Sequence, residues 1–356
     1  MNNEASPIPH ATIADVAREA GVSQATVSRT LHGSPKVSPA TRERVLAAAD
    51  RLRFTLSQNA SSLASGRTGR VLVLCSGPLG SWFNAGVMQG AYEEAHPQDY
   101  DLTPACVTGR EELDAYAKAL PTSRNADAAI VCSFRMTDSL ATQLGTVSMP
   151  TVGVDIPGAP RGFDASVGVD NAVGMRRAVR LLRSLGHPRI AFACDLVDDG
   201  LVYNASERRE AFLEAAAACG YGPGEARVVT VAPHGPIDVE GLAERLAVRV
   251  LSDGNRPTAL CVETDLLAIA LVAELRRQGI RVPQDMSVIG FDDAAVARVA
   301  DLTTVRQDPV ELGRRAMSMA LGLLHGEEPA VPHVLVEPSL VLRGTTARHA
   351  EGEDAA

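Results

Sequence analysis

Polar side chains stand directly after short apolar runs at several points of the sequence. The runs TVGV and VIGF end at the carboxylates of Asp155 and Asp292, and TTVR is followed by the amide of Gln307. Carboxylates and amides hydrogen-bond vicinal hydroxyl groups, and Arg208, at the start of a helical pattern, can donate to ring or carboxylate oxygens. These residue types together suit a site for a small polyhydroxylated ligand.

Two further acids and an aromatic pair fit the same kind of site. Asp170 follows the run SVGV, and Asp265 follows ALCVET. Either Trp82 or Phe83 could cover the apolar face of a sugar-like ring. Each acid, taken alone, is more often a helix cap or a turn residue. The prediction of a ligand site therefore depends on the whole set.

The region from Arg70 onward must position these side chains, and it alternates apolar runs with amphipathic helical patterns. Strands are predicted at 70–75, 128–132, 189–194, 259–262, 287–291 and 303–306. Helices are predicted near 83–95, 137–144, 205–219 and 265–278. This alternation predicts parallel sheets covered by helices, and the length suits two lobes. Open sheets of this class bind ligands beyond the carboxyl ends of their strands, where the polar residues stand.

The N-terminal segment has a different pattern, that of short helices. Thr12 and Asp15 can form a capping box, Gly21 suits the left-handed end of a first helix, and Ser23 can cap a second. The outward positions of the second helix are Gln24, Ala25, Ser28, Arg29 and His32. An ordinary helical hairpin with a solvated face and a recognition helix for the DNA major groove fit this periodicity equally well.

The distribution of charge favours the nucleic-acid interpretation. The chain of 356 residues has a formal net charge of -9, but residues 1–70 carry nine Lys and Arg against five Asp and Glu. A basic head can approach phosphates while an acidic body stays off the DNA. A third helix beginning at Ser38-Pro39 adds several arginines to the head: Arg42, Arg44, Arg51 and Arg53.

Cysteine usage and the lack of apolar leaders predict a cytoplasmic protein without a metal or a cofactor. The six cysteines show no paired spacing, and most of them lie in apolar runs, which predicts that they are buried small hydrophobes. No run of the sequence has the length of a membrane span or a secretion signal. Nucleophile-elbow, P-loop and zinc-protease motifs do not occur, so catalysis is not expected.

Two specific motifs, GVS-x-x-TVSR and S-P-x-T-R-x-R-V, follow one another between Asp15 and Leu52. The segment resembles the DNA-binding domain of the lactose-repressor/galactose-repressor (LacI/GalR) family. The body resembles the same family through SVGVDNAVG, LGHPRIAF, SERREAFLEA, VPQDMSVIGFDD and LTTVRQD, which come in the family's order. The resemblance runs from Thr12 to about Arg343 and implies a body like periplasmic sugar-binding proteins, with an effector between two lobes.

The resemblance also implies residues for both functions. Gln24 would carry hydrogen-bonded base readout and Ala25 an apolar contact, while Leu63, on a hinge helix, would wedge into the minor groove and bend the duplex. The predicted DNA contacts are Thr12, Ser23, Gln24, Ala25, Thr26, Ser28, Arg29, His32, Asn59, Ala60 and Leu63. The predicted effector contacts are Phe83, as the stacking aromatic, with Asp155, Asp170, Arg208, Asp265, Asp292 and Gln307.

Departures from the family pattern bear on the effector and the hinge. Ile156 stands where an arginine often follows the aspartate, and Thr264 replaces a frequent asparagine. The effector could therefore be larger, less polar or differently charged than the usual sugar. In the hinge, Leu56 replaces a usual proline and Ser61 a commonly basic residue.

These observations define a fold class and a domain plan. The fold class is a small all-α three-helix helix-turn-helix head plus hinge helix, joined to a two-lobed α/β body with parallel sheets like periplasmic binding proteins. The plan is a disordered lead at 1–11, the head at 12–55, the hinge at 56–69, the body at 70–346 and a disordered tail at 347–356. Lobe 1 takes about 70–167 and 307–332, and lobe 2 about 168–306 and 333–346.

The predicted function is that of a homodimeric repressor of carbohydrate-utilisation genes that binds a palindromic operator, because two heads need a two-fold arrangement. The alternative is a sugar-binding transport component without a DNA-binding role, and a third possibility is an enzyme built on the same body.

Overall fold

The computed structural model describes residues 11–31, 34, 36–54, 67–123, 125–195, 199–231, 239–252 and 254–350. The chain divides into two compact units, an N-terminal head of residues 1–69 and a body of residues 70–356. Each unit has a hydrophobic core of its own.

Three helices form the head: α1 (Ile13–Ala20), α2 (Gln24–Leu31) and α3 (Pro39–Arg51). The capping box is present, because the Thr12 hydroxyl accepts from the Asp15 amide and the Asp15 carboxylate accepts from the Thr12 amide at 2.9 Å. Gly21 ends α1 with a φ of 64°, which glycine adopts at little cost. Buried residues of all three helices make one small core: Val16, Ala17, Ala20, Val27, Val45, Ala48 and Ala49.

The described part of the body contains two six-stranded sheets. The first has the order β11-β5-β4-β3-β1-β2, and all its pairs are parallel. Its strands are β1 (Arg70–Ser76), β2 (Asp101–Val107), β3 (Ala128–Cys132), β4 (Thr151–Val154), β5 (Ala165–Val169) and β11 (His333–Val336). Four of these strands are buried along almost their whole length, as expected where helices cover both faces of a sheet.

The second sheet has the order β12-β10-β9-β8-β6-β7 and is parallel except for the pair of β10 with β12. Its strands are β6 (Ile190–Asp195), β7 (Ala226–Val231), β8 (Ala259–Val262), β9 (Ser287–Asp292), β10 (Thr303–Arg306) and β12 (Ser339–Val341). Each sheet forms the centre of one lobe. The predicted class, a helical head with a two-lobed body of parallel sheets, is therefore confirmed.

Three connections carry the chain between the two sheets, after β5, after β10 and after β11. The pairing differs from the predicted lobe boundaries at two places. Strand β5 keeps residues 165–169 in lobe 1, and β11 adds residues 333–336 to lobe 1, where lobe 2 was expected. No change in the hydrophobic periodicity of the sequence indicates where the chain passes from the first sheet to the second. Pro338, which has no N–H for a ladder, separates two short strands that join different sheets.

Helices cover both sheets of the body. They are α4 (Trp82–Ala95), α5 (Arg110–Ser123), α6 (Asp138–Thr146), α7 (Asn171–Ser184), α8 (Asn204–Ala218), α9 (Val239–Leu251), α10 (Asp265–Arg277), α11 (Ala295–Val299) and α12 (Pro309–Leu324). Helices α4 and α12 approach closely through glycines: a Cβ placed on Gly90 would lie 1.8 Å from the Val310 carbonyl oxygen, and one on Gly313 would lie 2.1 Å from that of Val87.

Most cysteines are buried in strands, as the sequence predicts. Cys75, Cys132, Cys194 and Cys261 are buried, whereas Cys106 is exposed because it lies on the edge strand β2. Burial raises the pKa of the Cys261 thiol to about 12, so this group is a small hydrophobe at neutral pH. In the part of the chain that the structure describes, no helix is both long and apolar enough to cross a membrane.

Candidate effector cleft and DNA-reading surface

Residues that follow strands of both sheets meet in one buried polar cluster, at the position predicted for the effector cleft. Several of them have left-handed backbone conformations, with φ values of 49° at Asp155, 127° at Asp292 and 58° at Asp293. Non-glycine residues adopt such conformations at a cost, and they are concentrated at ligand sites. The backbone strain therefore indicates the same edge of the body that the sequence predicts for a ligand.

Arg208, on α8, is the buried centre of this cleft. Its Nε donates to Asn171 Oδ1 at 3.1 Å, and its Nη1 donates to the Glu263 carbonyl oxygen at 2.9 Å. Its Nη2 lies 4.0 Å from Asp155 Oδ2, a contact that joins lobe 2 to lobe 1. The guanidinium carbon lies 3.8 Å from the centroid of the Phe291 ring. This stacking and hydrogen bonding fix the direction of the guanidinium.

Asp292 and Gln307 form a second buried pair. The Gln307 Nε2 donates to Asp292 Oδ1 at 2.6 Å, and the Gln307 backbone amide donates to the Asp292 carbonyl oxygen at 3.1 Å. Both side chains are more than nine-tenths buried. Because β9 and β10 are neighbours, their ends bring together two residues that are fifteen positions apart in sequence.

Asp155 is held by both lobes. Its Oδ1 accepts from the Val169 amide at 3.0 Å, and its backbone carbonyl oxygen accepts from the Asn204 side-chain amide of α8. The side chain is buried. The structure thus brings Asp155, Arg208, Asp292 and Gln307 into one connected region, as the sequence predicts for an effector site.

Three other predicted effector residues have structural partners. Asp170 caps α7 by accepting from the Val173 amide at 2.8 Å. Both carboxylate oxygens of Asp265 are bonded inside lobe 2, by the Thr304 hydroxyl and the Ala294 amide. Phe83 packs, half-buried, against the core of the body. The contacts of these residues explain their presence without a ligand.

Sequence reasoning missed several polar residues of the cleft. Asn171, one position beyond the predicted Asp170, is the residue that bonds Arg208. Glu263 accepts from the Asp195 amide at 3.2 Å, and Asn204 bonds Asp155. Both Asp195 and Glu263 lie at strand ends. The expectation that residues at the carboxyl ends of strands face the ligand could therefore have identified them. Nothing in the sequence indicated Asn204, which lies at the start of α8.

The free energy of unfolding should fall as the pH rises from about 5 to about 8. Burial raises the pKa of Glu263 to about 8, of Asp292 to about 7 and of Asp265 to about 6. In this window the folded body holds protons that unfolded carboxyls, with pKa values near 4, have released, so folding is favoured at the acidic end. Because each pKa unit corresponds to about 1.4 kcal/mol, we expect a loss of several kcal/mol, up to about 8 kcal/mol, across the window in urea unfolding.

Asp292→Asn removes one of these titrations and should make the pH profile shallower. A free energy of unfolding that stays constant or rises between pH 5 and pH 8 in the unsubstituted protein would contradict the prediction.

Within the described ranges, no three His, Cys, Asp or Glu side chains are arranged to hold a metal ion.

The exposed face of α2 is the candidate DNA-reading surface of the head. Gln24, Ala25 and Arg29 are exposed on it, while Val27 and Thr30 face the core. Among the described residues, no carboxylate pairs with the Arg29 guanidinium, which leaves it available to a phosphate or a base edge.

Short hydroxyl side chains surround the start of this helix. The Thr26 amide donates to Ser23 Oγ at 3.2 Å, and the two hydroxyls of Ser23 and Thr26 lie 2.9 Å apart. Ser28 is half-buried on the same helix, and Thr12 is exposed at the start of α1. Hydroxyls and amides at a helix N-terminus are suitable donors for phosphate. The predicted contacts at His32, Asn59, Ala60 and Leu63 lie outside the described residues.

A helix-turn-helix head on a two-lobed binding body with a polar cleft defines a class of protein, the ligand-responsive DNA-binding regulators. Residues 12–57 match the family described as bacterial regulatory proteins, lacI family, and residues 179–346 match the periplasmic binding protein-like domain. The HTH-type transcriptional regulator GalS of Salmonella typhimurium is 32% identical over 340 residues, which are 94% of this chain and 96% of that protein.

Solved structures agree with this match. A lac repressor dimer bound to operator and the anti-inducer ONPF has the same fold, with a TM-score of 0.82 at 23% identity over 95% of this chain and 100% of that one. A complex of the transcriptional regulator CelR with cellobiose has a TM-score of 0.67 at 26% identity, over 94% and 99% of the two chains. This chain belongs to the lacI family of bacterial regulatory proteins. It is a DNA-binding regulator of transcription, and a transport component is not favoured.

Proposed function

We propose that this chain is a homodimeric repressor that binds a palindromic operator and responds to a small sugar-like effector in the cleft between its lobes. The observation that carries the proposal is the combination of an exposed polar face on α2 with a buried polar cleft centred on Arg208. The sugar-like class is supported by the cleft's carboxylates and amides and by the cellobiose in the CelR complex. Carbohydrate-utilisation genes are the corresponding targets.

In DNA binding, Gln24 reads base edges, Ala25 contacts a thymine methyl group, and Arg29 binds a base or a phosphate. The hydroxyls of Thr12, Ser23, Thr26 and Ser28 bind phosphates, which sets the register of the head on the duplex. His32 and the hinge residues Asn59, Ala60 and Leu63 complete the proposed interface, with Leu63 as the minor-groove wedge.

An apolar face on lobe 2 supports the proposal of a homodimer. Leu266 of α10 and Val296 and Val299 of α11 are exposed, and Val299 is 90% exposed. A shallow cavity of about 130 Å³, lined by Ile269 and Ala273 among others, lies on the same helix α10. Exposed apolar side chains on two adjoining helices are typical of a surface that a second copy covers. Two heads held by such a dimer require a palindromic operator.

The effector would act by changing the angle between the lobes, because it contacts both of them. Asp155 of lobe 1 and Arg208 of lobe 2 are the residues through which a ligand would bias that angle. A change of the angle would separate the two hinge segments of the dimer, which would weaken their hold on DNA. We propose that the chain has no catalytic activity of its own.

Selection of bound sequences from a random DNA pool, followed by gel shift with the full chain, tests the proposal. The expected result is a palindrome that the protein prefers over random DNA by at least 10³-fold at moderate salt. Binding without sequence preference would refute the regulator function.

Gln24→Ala should weaken binding to the selected operator by about 30-fold or more, because the dimer loses one hydrogen-bonded base readout, worth about 1–3 kcal/mol, in each of two half-sites. Binding to non-specific DNA should stay the same, because Gln24 carries no charge. Gln98→Ala, on an exposed site of the body, is the matched control. An equal loss on operator and non-specific DNA would contradict base readout by Gln24.

A further inference from the structure

The cleft of the proposed effector site has an excess of carboxyl groups. Asp155, Asp195, Glu263 and Asp292 stand at strand ends around Arg208. Of the cations that the structure describes, only Arg208 lies within 4.0 Å of a carboxylate of this group. A neutral sugar would give these carboxyl groups no cation as a partner.

Two buried amide oxygens in the same region point to a ligand independently of the acids. Gln307 Oε1 and Asn204 Oδ1 are buried and have no hydrogen-bond partner among the described residues. Both side chains are more than nine-tenths buried, and the nitrogen of each amide is already used, by Asp292 and by the Asp155 carbonyl oxygen. A buried acceptor without a donor lowers the stability of the folded protein. A ligand with hydrogen-bond donors could therefore satisfy the two amide oxygens.

The protein itself offers few donors here. Arg208 already donates to Asn171 and to the Glu263 carbonyl oxygen, and Ile156, directly after Asp155, packs against the core of lobe 1. The groups left over are acceptors and acids, and none of the described acids donates to Gln307 Oε1 or Asn204 Oδ1. A hydroxyl group provides one donor and also needs one, whereas an ammonium group provides three donors, needs none and carries a positive charge.

We propose that the effector is a small cationic molecule of the amino-sugar or amino-polyol class, whose ammonium group is bound by Glu263 and Asp195 and whose hydroxyl groups donate to Asn204 and Gln307. This inference rests on the proposed function, because it uses the same cleft as the effector site. The ammonium replaces the water that a carboxylate loses on burial, and the hydroxyls supply the donors that the two amides lack.

The acid–base properties of the cleft agree with this assignment. Burial and the neighbouring Asp195 raise the pKa of Glu263 to about 8, and burial raises that of Asp292 to about 7. At neutral pH and without a ligand, Glu263 therefore holds its proton most of the time, and Asp292 is about half ionised. A bound cation favours their ionised form and is bound more tightly as a result.

Isothermal titration calorimetry with the full chain tests the proposal on matched pairs of ligands: glucosamine with glucose, galactosamine with galactose, and mannosamine with mannose. In at least one pair the amine should bind ten times more tightly than its hydroxyl partner. Glu263→Gln should remove that preference by weakening the binding of the amine about tenfold. Glu244→Gln, on an exposed position of α9, should behave like the unsubstituted chain.

The proposal is overturned if the neutral sugar binds as tightly as its amine partner in every pair, and also if no amine in the panel binds. Glu263→Gln is close in shape to the original residue, and its melting temperature shows whether it folds. Gel shift of the same preparations on the selected operator distinguishes a failure of the proposed regulator function from a failure of the proposed cationic effector. Failure to bind any specific DNA refutes the regulator, whereas release of operator by a neutral sugar refutes only the cationic effector.

Discussion

Arg208→Met should abolish the response of operator binding to the effector and should lower the free energy of unfolding by about 3 kcal/mol at pH 8. The substitution keeps apolar contact with the Phe291 ring but removes the hydrogen bonds to Asn171 and Glu263 and the charge beside Asp155. The buried carboxyls then lose their cation. They can become protonated at low pH, so the loss of stability should be smaller at pH 5.

Urea unfolding at both pH values and gel shift on the selected operator measure this result. Arg281→Met is the matched control, because its ion pair with Asp285 is exposed and contributes at most about 1 kcal/mol. Operator binding without effector should persist in both variants. An Arg208→Met protein that still releases operator on addition of effector would move the effector site elsewhere.

Gly90→Ala should destabilise the body by about 3 kcal/mol or more. The added Cβ would lie 1.8 Å from the Val310 carbonyl oxygen and 2.8 Å from the Arg314 amide nitrogen, both on the backbone of α12. Backbone atoms inside a packed helix pair cannot rotate away, so α4 and α12 would have to separate.

Gly145→Ala is the matched control, a Gly→Ala substitution that should not destabilise the body. Gly145 lies in α6, and a Cβ placed there meets no other atom within 4 Å. Its replacement should be neutral or stabilise by up to about 1 kcal/mol, because alanine loses less entropy in a helix. Urea unfolding followed by circular dichroism compares the two variants. A Gly90→Ala protein within 1 kcal/mol of the unsubstituted chain would contradict the close packing of α4 and α12.

The sequence predicted most of the elements whose pattern is strong. The predicted strands at 128–132, 259–262 and 303–306 have the observed bounds, and the helix predicted near 83–95 is observed as Trp82–Ala95. The three strands are apolar runs that are buried along all or most of their length. Strand β2 was not predicted, because Pro104 and exposed Cys106 give an edge strand a weak pattern.

The cleft was predicted less completely, for a physical reason. Sequence position relative to a strand end indicates which residues face the cleft, and this found Asp155, Asp292 and Gln307. It does not tell which polar group is also bonded internally, as Asp265 is by Thr304 and Ala294, so an effector contact by Asp265 stays a prediction. The role of each group depends on contacts between strands that are far apart in the chain.

The return of the chain through β11 and β12 has a consequence for the order in which the protein folds on the ribosome. The described helices of the head end at Arg51, so the head can fold early in synthesis. Strand β5, by contrast, cannot pair with β11 until about 160 further residues have been synthesised, which takes roughly 10–30 s at common rates of translation. During that interval the nascent first lobe exposes the free edge of β5 and the surface of α4 around Gly90, which later packs against α12. Chaperones should bind the nascent chain at these two surfaces.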